Sequence, residues 1–139
     1  MSFLRSTLVV VTLFLFFSFQ IKANIDIDSI ISLLELGEAN ATATFNYLDG
    51  GQPINTTSEN RAICSKWYSQ VPQFLSFSIN YLKEKNIPKA IDDVNTADDY
   101  TKNCQDVQIE DATLSSSNDY IIDICYKVHN ELQNPPLII

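Results

Sequence analysis

The chain has 139 residues, 9 basic against 17 acidic, and a formal charge of −8. Its length fits one domain, and its acidity, with a pI near 4.4, excludes a nucleic-acid binder, which needs clustered Lys and Arg against phosphate. With 3 glycines and the lone His129, neither a phosphate-cradling loop nor a two-histidine metal motif can be assembled, and little is left for acid–base chemistry near neutral pH; composition leans away from an enzyme.

Residues 1–23 read as a secretory signal peptide. Arg5 supplies the charged start, Leu8 to Phe19 the apolar run, and Ala23 a small residue suited to cleavage. A membrane anchor is the alternative, but a span needs about 20 apolar residues, and Gln20 and Lys22 cut this run short. Cleavage after Ala23 removes Arg5 and Lys22 and no acid, which takes the net charge from −8 to −10.

Four helices follow. The first is expected over about 28–48, where Ile27, Ile30, Leu34, Ala41, Phe45 and Leu48 recur mostly at three- and four-residue steps. Asp26 or Asp28 can cap its start, and Gly50-Gly51 ends it. The second is expected over about 57–85, with Thr56 and Glu59 at capping-box spacing. It carries two adjacent stripes: Ile63, Trp67, Val71, Phe74, Phe77 and Tyr81, and beside them Cys64, Tyr68, Leu75, Ile79 and Leu82. Pro72 would cost about 3 kcal/mol inside a helix. Because the stripes keep their phase through it, a kink near Gln70–Pro72 is expected rather than two helices.

The third helix is expected over about 88–107. Pro88 suits its first turn, and Ala90, Val94, Ala97, Thr101 and Cys104 make a heptad seam. Asp92, Asp93, Asp98 and Asp99 lie off that seam, the early pair complementing the helix dipole and the later pair on a solvated face. The polar stretch 108–117 reads as a loop. Ser117 or Asn118 can cap a fourth helix over about 119–133, with Ile121, Cys125, Val128 and Leu132 as its seam. Pro135-Pro136 stops it, and 135–139 is a flexible tail. The fold expected for 24–134 is an all-α, up-down-up-down antiparallel four-helix bundle.

The three cysteines, Cys64, Cys104 and Cys125, all follow the leader, and a secreted chain permits disulfides. An odd count means one bridge and one spare thiol. Cys64 near the start of the second helix and Cys104 near the end of the third lie side by side in an antiparallel hairpin, which favours that pair and leaves Cys125 free. Two sequons, Asn40-Ala41-Thr42 and Asn55-Thr56-Thr57, mark Asn40 and Asn55 for N-glycosylation.

Ala62-Ile63-Cys64-Ser65-Lys66-Trp67-Tyr68, a long amphipathic helix, and then Ala97-Asp98-Asp99-Tyr100-Thr101-Lys102-Asn103-Cys104 together resemble the plant invertase and pectin methylesterase inhibitor family. Its members carry an Ala-Leu-x-x-Cys-x-x-x-Tyr pattern and, some forty residues on, an Ala-rich helix ending in Thr-x-x-Cys. Ala39 to Thr44 resembles the family's Ala-rich first bundle helix, and the segment from Asn118 through Cys125 its last. The resemblance covers about 25–133. The chain departs from the family in going almost directly from leader to bundle, without the usual N-terminal hairpin and its own disulfide. It departs again in having Pro72. Invertase inhibitors of the family carry Pro-Lys-Phe after the long second bundle helix; here Pro88-Lys89-Ala90 stands at the similar place. The missing phenyl ring forgoes up to about 3 kcal/mol of burial in a target pocket.

The resemblance therefore implies a secreted inhibitor, not an enzyme, with no cofactor and no metal. It would act as a monomer that blocks the active-site cleft of pectin methylesterase or, as the alternative, of acid invertase, in the cell wall or the vacuole. The exposed faces of 57–85 and 88–107, with Lys85, Pro88 and Lys89, are the candidate contact surface. No contact with nucleic acid, or with membrane once the leader is gone, is expected. Rival readings are a bundle that has lost inhibition and a carrier of a small apolar ligand, for which Trp67, Phe74 and Phe77 could line a cavity; such a stripe is more simply core. Cys125 and His129, one turn apart, could ligate zinc or form a thiol–base pair. A buried apolar thiol beside a surface histidine accounts for them more simply.

Overall fold

A computed structural model describes residues 27–133; the leader 1–23 and the tail 135–139 lie outside the described residues. The first helix, α1, covers 27–49. It buries Ile30, Leu34, Ala41, Thr44 and Leu48, steps of four, seven, three and four that hold one face to the core. At Gly37 it passes within van der Waals reach of Leu75 and Ile124. Gly51, at φ 78°, supplies the left-handed residue for the turn that follows, a conformation glycine adopts without steric cost.

The second rod of the bundle consists of two helices, α2 (Ser58–Tyr68) and α3 (Val71–Lys83). This corrects the expected single kinked helix. Ser69 and Gln70 keep right-handed backbone angles, but the ladder breaks between them and Pro72 falls in the first turn of α3. An interior proline would forfeit a hydrogen bond; one in a first turn forfeits none. The cap of α2 also lies one residue later than Thr56. Thr57 sits at the N-cap, and its side chain accepts from the Asn60 N–H at 3.1 Å.

Next come α4 (Ile87–Gln105) and α5 (Ala112–Gln133). Asn86 caps α4. The start of α5 lies seven residues before the expected one, because the serine run is helical. Asp111, not Ser117 or Asn118, is the cap: its carboxylate accepts from the Leu114 N–H at 2.9 Å. Leu114 and Asn118 extend the seam of Ile121, Cys125, Val128 and Leu132 toward the N-terminus, and all six are buried. Serine disfavours a helix by only a few tenths of a kcal/mol, which burial of Leu114 outweighs.

The described residues form an all-α, up-down-up-down four-helix bundle, with α2 and α3 counting as one rod. Its core takes Leu34 and Leu48 from α1, Tyr68, Leu75 and Leu82 from α2 and α3, Val94 and Ala97 from α4, and Ile121 and Val128 from α5. Tyr68 is fully buried, and its hydroxyl donates to Asn118 Oδ1 across the core. At the opening end, the Tyr47 hydroxyl donates to Asp111 Oδ1 at 3.0 Å, and Arg61 donates to the carbonyls of Leu48 and Gln52. These contacts fix the α1–α2 loop that holds Asn55.

Candidate interaction surfaces

Cys64 and Cys104 are bonded to each other, with Cα atoms 4.6 Å apart. The bond joins α2 to the end of α4, so the α2–α3–α4 hairpin is closed covalently at one end and by its own turn at the other. That turn has a defined architecture. The Asn86 N–H donates to Tyr81 O at 2.8 Å and the Lys85 N–H to Leu82 O at 3.0 Å, the paired bonds of a Schellman cap. Lys85 occupies the left-handed position at φ 61°. Glycine is the usual residue there, and a side chain at that position costs about 1–2 kcal/mol.

The structure brings Lys85, Pro88 and Lys89 together on this turn, all exposed, with Lys83 beside them. Lys89 Nζ lies 5.4 Å from the centre of the Tyr81 ring, within cation–π range. Lys83, Lys85 and Lys89, with only Glu84 among them to oppose their charge, leave a net positive tip on an otherwise acidic protein.

Along the outer edge of the same hairpin runs an aromatic strip. Trp67 and Tyr100 have ring centres 4.8 Å apart; Phe74 meets Tyr100 edge-on at 5.5 Å and Phe77 at 5.8 Å. Such offset and edge-on pairs add about 0.5–1.5 kcal/mol each beyond burial. The strip is half-buried at Trp67, Phe74 and Tyr100 and opens to solvent at Phe77, 40% exposed, with Ile63, 37% exposed, on the same face. The reading of this stripe as core holds for Val71 and in part for Phe74 and Tyr81, which pack half-buried against the core, and is corrected for Ile63 and Phe77, which face solvent. The core centres on the neighbouring stripe of Cys64, Tyr68, Leu75, Ile79 and Leu82, and only Val71 of the first stripe joins it fully. Two adjacent stripes are wider than the surface that the other rods cover.

Asp93 lies on α4, one turn from Lys89 and two from Tyr100. Its Oδ2 is buried without a hydrogen-bond partner. Burial first, then the neighbouring Asp92 carboxylate, holds its acid above the ordinary carboxylate range, against the pull of Lys89.

On the other flank of α4, a groove of about 620 Å³ runs between α4 and α5. Cys125 and Ile122 are at its base, and Asn95, Asp98, Lys102, Gln105, Asp119, Asp123, Tyr126, His129 and Asn130 line it. His129 Nδ1 is 2.8 Å from Asn95 Oδ1, and Lys102 pairs with Asp98 at 2.8 Å. Cys125 is buried; burial first, then the Asp98 charge, pushes its thiol up to about 12, with Lys102 opposing. A thiol so protonated is a poor nucleophile and a poor ligand. The other two sulfurs are consumed by the disulfide, and the described residues hold no cluster of three or more His, Cys, Asp or Glu groups placed for a metal.

The two sequon asparagines differ in setting. Asn55 is exposed in the α1–α2 loop, whereas Asn40 lies half-buried within α1, its carbonyl accepting from the Thr44 hydroxyl at 2.8 Å. Sequence reasoning located the tip and the bridge but not the strip or the groove, because exposure of Phe77 and convergence of residues from α4 and α5 follow from packing. None of the described helices is long and apolar enough to cross a membrane. No protein-family model, curated protein or solved structure matches the chain.

Proposed function

We propose that the protein is a secreted inhibitor of a plant cell-wall enzyme, with pectin methylesterase as its first target, acting by steric occlusion of the active-site cleft without covalent chemistry. The carrying observation is the stapled hairpin itself: a disulfide-closed α2–α3–α4 unit presents an aromatic strip beside a basic tip. Partly exposed aromatics set on a rigid frame are among the residue types that dominate protein–protein binding energy, and preorganisation lowers the ordering cost of binding. Lys85 in a position that ordinarily takes glycine fits a side chain kept for contact at some expense of stability.

Pectin methylesterase ranks above acid invertase because of Ala90. That residue is fully buried and its carbonyl accepts from the Ser78 hydroxyl at 2.9 Å, so the position where invertase inhibitors of the resembled family carry phenylalanine has nothing to offer a target pocket here. The acidic body would be steered toward a basic partner surface, which raises the association rate more than the affinity. Asn55 is the sequon placed for a glycan.

The test is inhibition of plant pectin methylesterase and acid invertase by the purified glycoprotein from acidic to neutral pH. Stoichiometric inhibition of pectin methylesterase is expected, weakened at least about tenfold by Phe77→Ala or by Lys85→Glu with Lys89→Glu. A cooperatively folded protein that inhibits neither enzyme overturns the proposal; inhibition of invertase alone moves the target.

A further inference from the structure

We propose that the groove between α4 and α5 is a second binding site, for a short neutral oligosaccharide. It is independent of the inhibitor reading, because the two faces flank α4 on opposite sides: Tyr100 packs against Trp67 and Phe74, whereas Asn95, Asp98 and Lys102 line the groove. From Asn95 to Gln105 the groove extends over about 15 Å of helix, and its volume of about 620 Å³ falls within the roughly 300–1,000 Å³ typical of small-molecule sites.

The lining selects the ligand class. A sugar ring presents an apolar C–H face and an edge of hydroxyls that both donate and accept. Tyr126, 65% exposed, offers a free aromatic face, and Ile122 adds an apolar floor. Around them, Asn130 supplies amide donors and an acceptor, Asn95 keeps its amide N–H groups while its Oδ1 is held by His129, and Gln105 keeps its Oε1 while its Nε2 reaches Asp119, together a mixture of donors and acceptors that vicinal hydroxyls require. Asp119 supplies a further acceptor.

Charged ligands fit less well. Asp98 and Asp123 are already paired, with Lys102 at 2.8 Å and Lys127 at 2.9 Å, so a polyamine would find few free carboxylates and would leave the amide donors idle. An acidic sugar would meet Asp119 and the paired aspartates with no unpaired cation to receive it. The hydroxyl-rich neutral ligand uses all three kinds of group at once.

The experiment is a heteronuclear NMR titration of the labelled protein with cellotriose and mannotriose, with trigalacturonate and spermidine in parallel. Saturable millimolar shifts are expected for a neutral trisaccharide, at the side-chain amides of Asn95, Gln105 and Asn130 and at the Tyr126 ring. Tyr126→Ala, a change at an exposed site, should weaken binding by about tenfold through loss of stacking while leaving the thermal midpoint in place. Absence of saturable shifts with both neutral sugars, shifts located elsewhere, or tighter binding of trigalacturonate or spermidine would each overturn the proposal. Because the readout is binding, the result does not depend on whether any enzyme is inhibited.

Discussion

Removing the bridge by Cys64→Ala with Cys104→Ala tests the frame on which the aromatic strip and the basic tip are mounted. The bond closes a loop with a sequence separation of 40. In the chain-entropy treatment a loop of that size withholds about 13 cal/mol/K from the unfolded ensemble, or about 4 kcal/mol at 25 °C. A domain the size of residues 27–133 unfolds with an entropy of about 0.22 kcal/mol/K, so the thermal midpoint should fall by about 18 °C. The unfolded chain also becomes less restricted and exposes more surface, so the urea m value should rise. Thermal and urea denaturation followed by far-UV circular dichroism measures both, with Cys125→Ala as the control for a lost buried sulfur. A midpoint drop below about 5 °C with an unchanged m value would refute the argument, since the bond would then contribute little to limiting the unfolded state.

Tyr68→Phe leaves Asn118 Oδ1 buried without its donor and should cost about 1–3 kcal/mol; Tyr68→Phe with Asn118→Leu should recover most of that loss in thermal melts. Cys125 retains its proton in the folded state up to about 12, whereas the unfolded thiol releases it near about 8.5. Stability from this site is therefore full below the lower value and is lost as pH rises through the interval; Cys125→Ala should flatten that decline, and iodoacetamide should label the native thiol only as fast as the protein unfolds. Asp93 has its folded acid raised, so its ionisation also opposes folding as pH rises past the unfolded carboxyl value of about 3.9. Asp93→Asn should raise the midpoint at neutral pH and lose that advantage in acid, where both forms are uncharged.

The parts of the fold that are plain in the sequence are those where one local signal decides. In α4 the seam of Ala90, Val94, Ala97, Thr101 and Cys104 coincides with the buried face, because alternating four- and three-residue steps keep side chains in line along a helix. The pairing of Cys64 with Cys104 follows from antiparallel neighbours of matched length. The second rod is different. Its eleven apolar positions in two stripes are consistent with burial of either, and only the placement of α1 and α4 makes Cys64, Tyr68 and Leu75 the core while Ile63 and Phe77 face solvent. Pro72 illustrates the same limit: hydrophobic phase survives a two-residue turn such as Ser69–Gln70, so phase alone cannot separate a kink from a restart.

Asn118 carries this reasoning furthest. In one dimension a polar residue after three serines is a loop ending in a cap. In the bundle it is the second position of a buried seam, opposite Tyr68, whose hydroxyl needs an acceptor once it leaves water. Each residue alone is unfavourable in a core; together they satisfy one another and fix the register of α5 against α2. That coupling spans 50 residues and has no local signature. It also explains why α5 begins at Ala112 rather than at 119: a helix starting later would leave Leu114 exposed and remove the turn that positions Asn118 under the phenol. The Asp111 cap, the burial of Leu114 and the Asn118 hydrogen bond, and not the serine run, together set where the last helix begins.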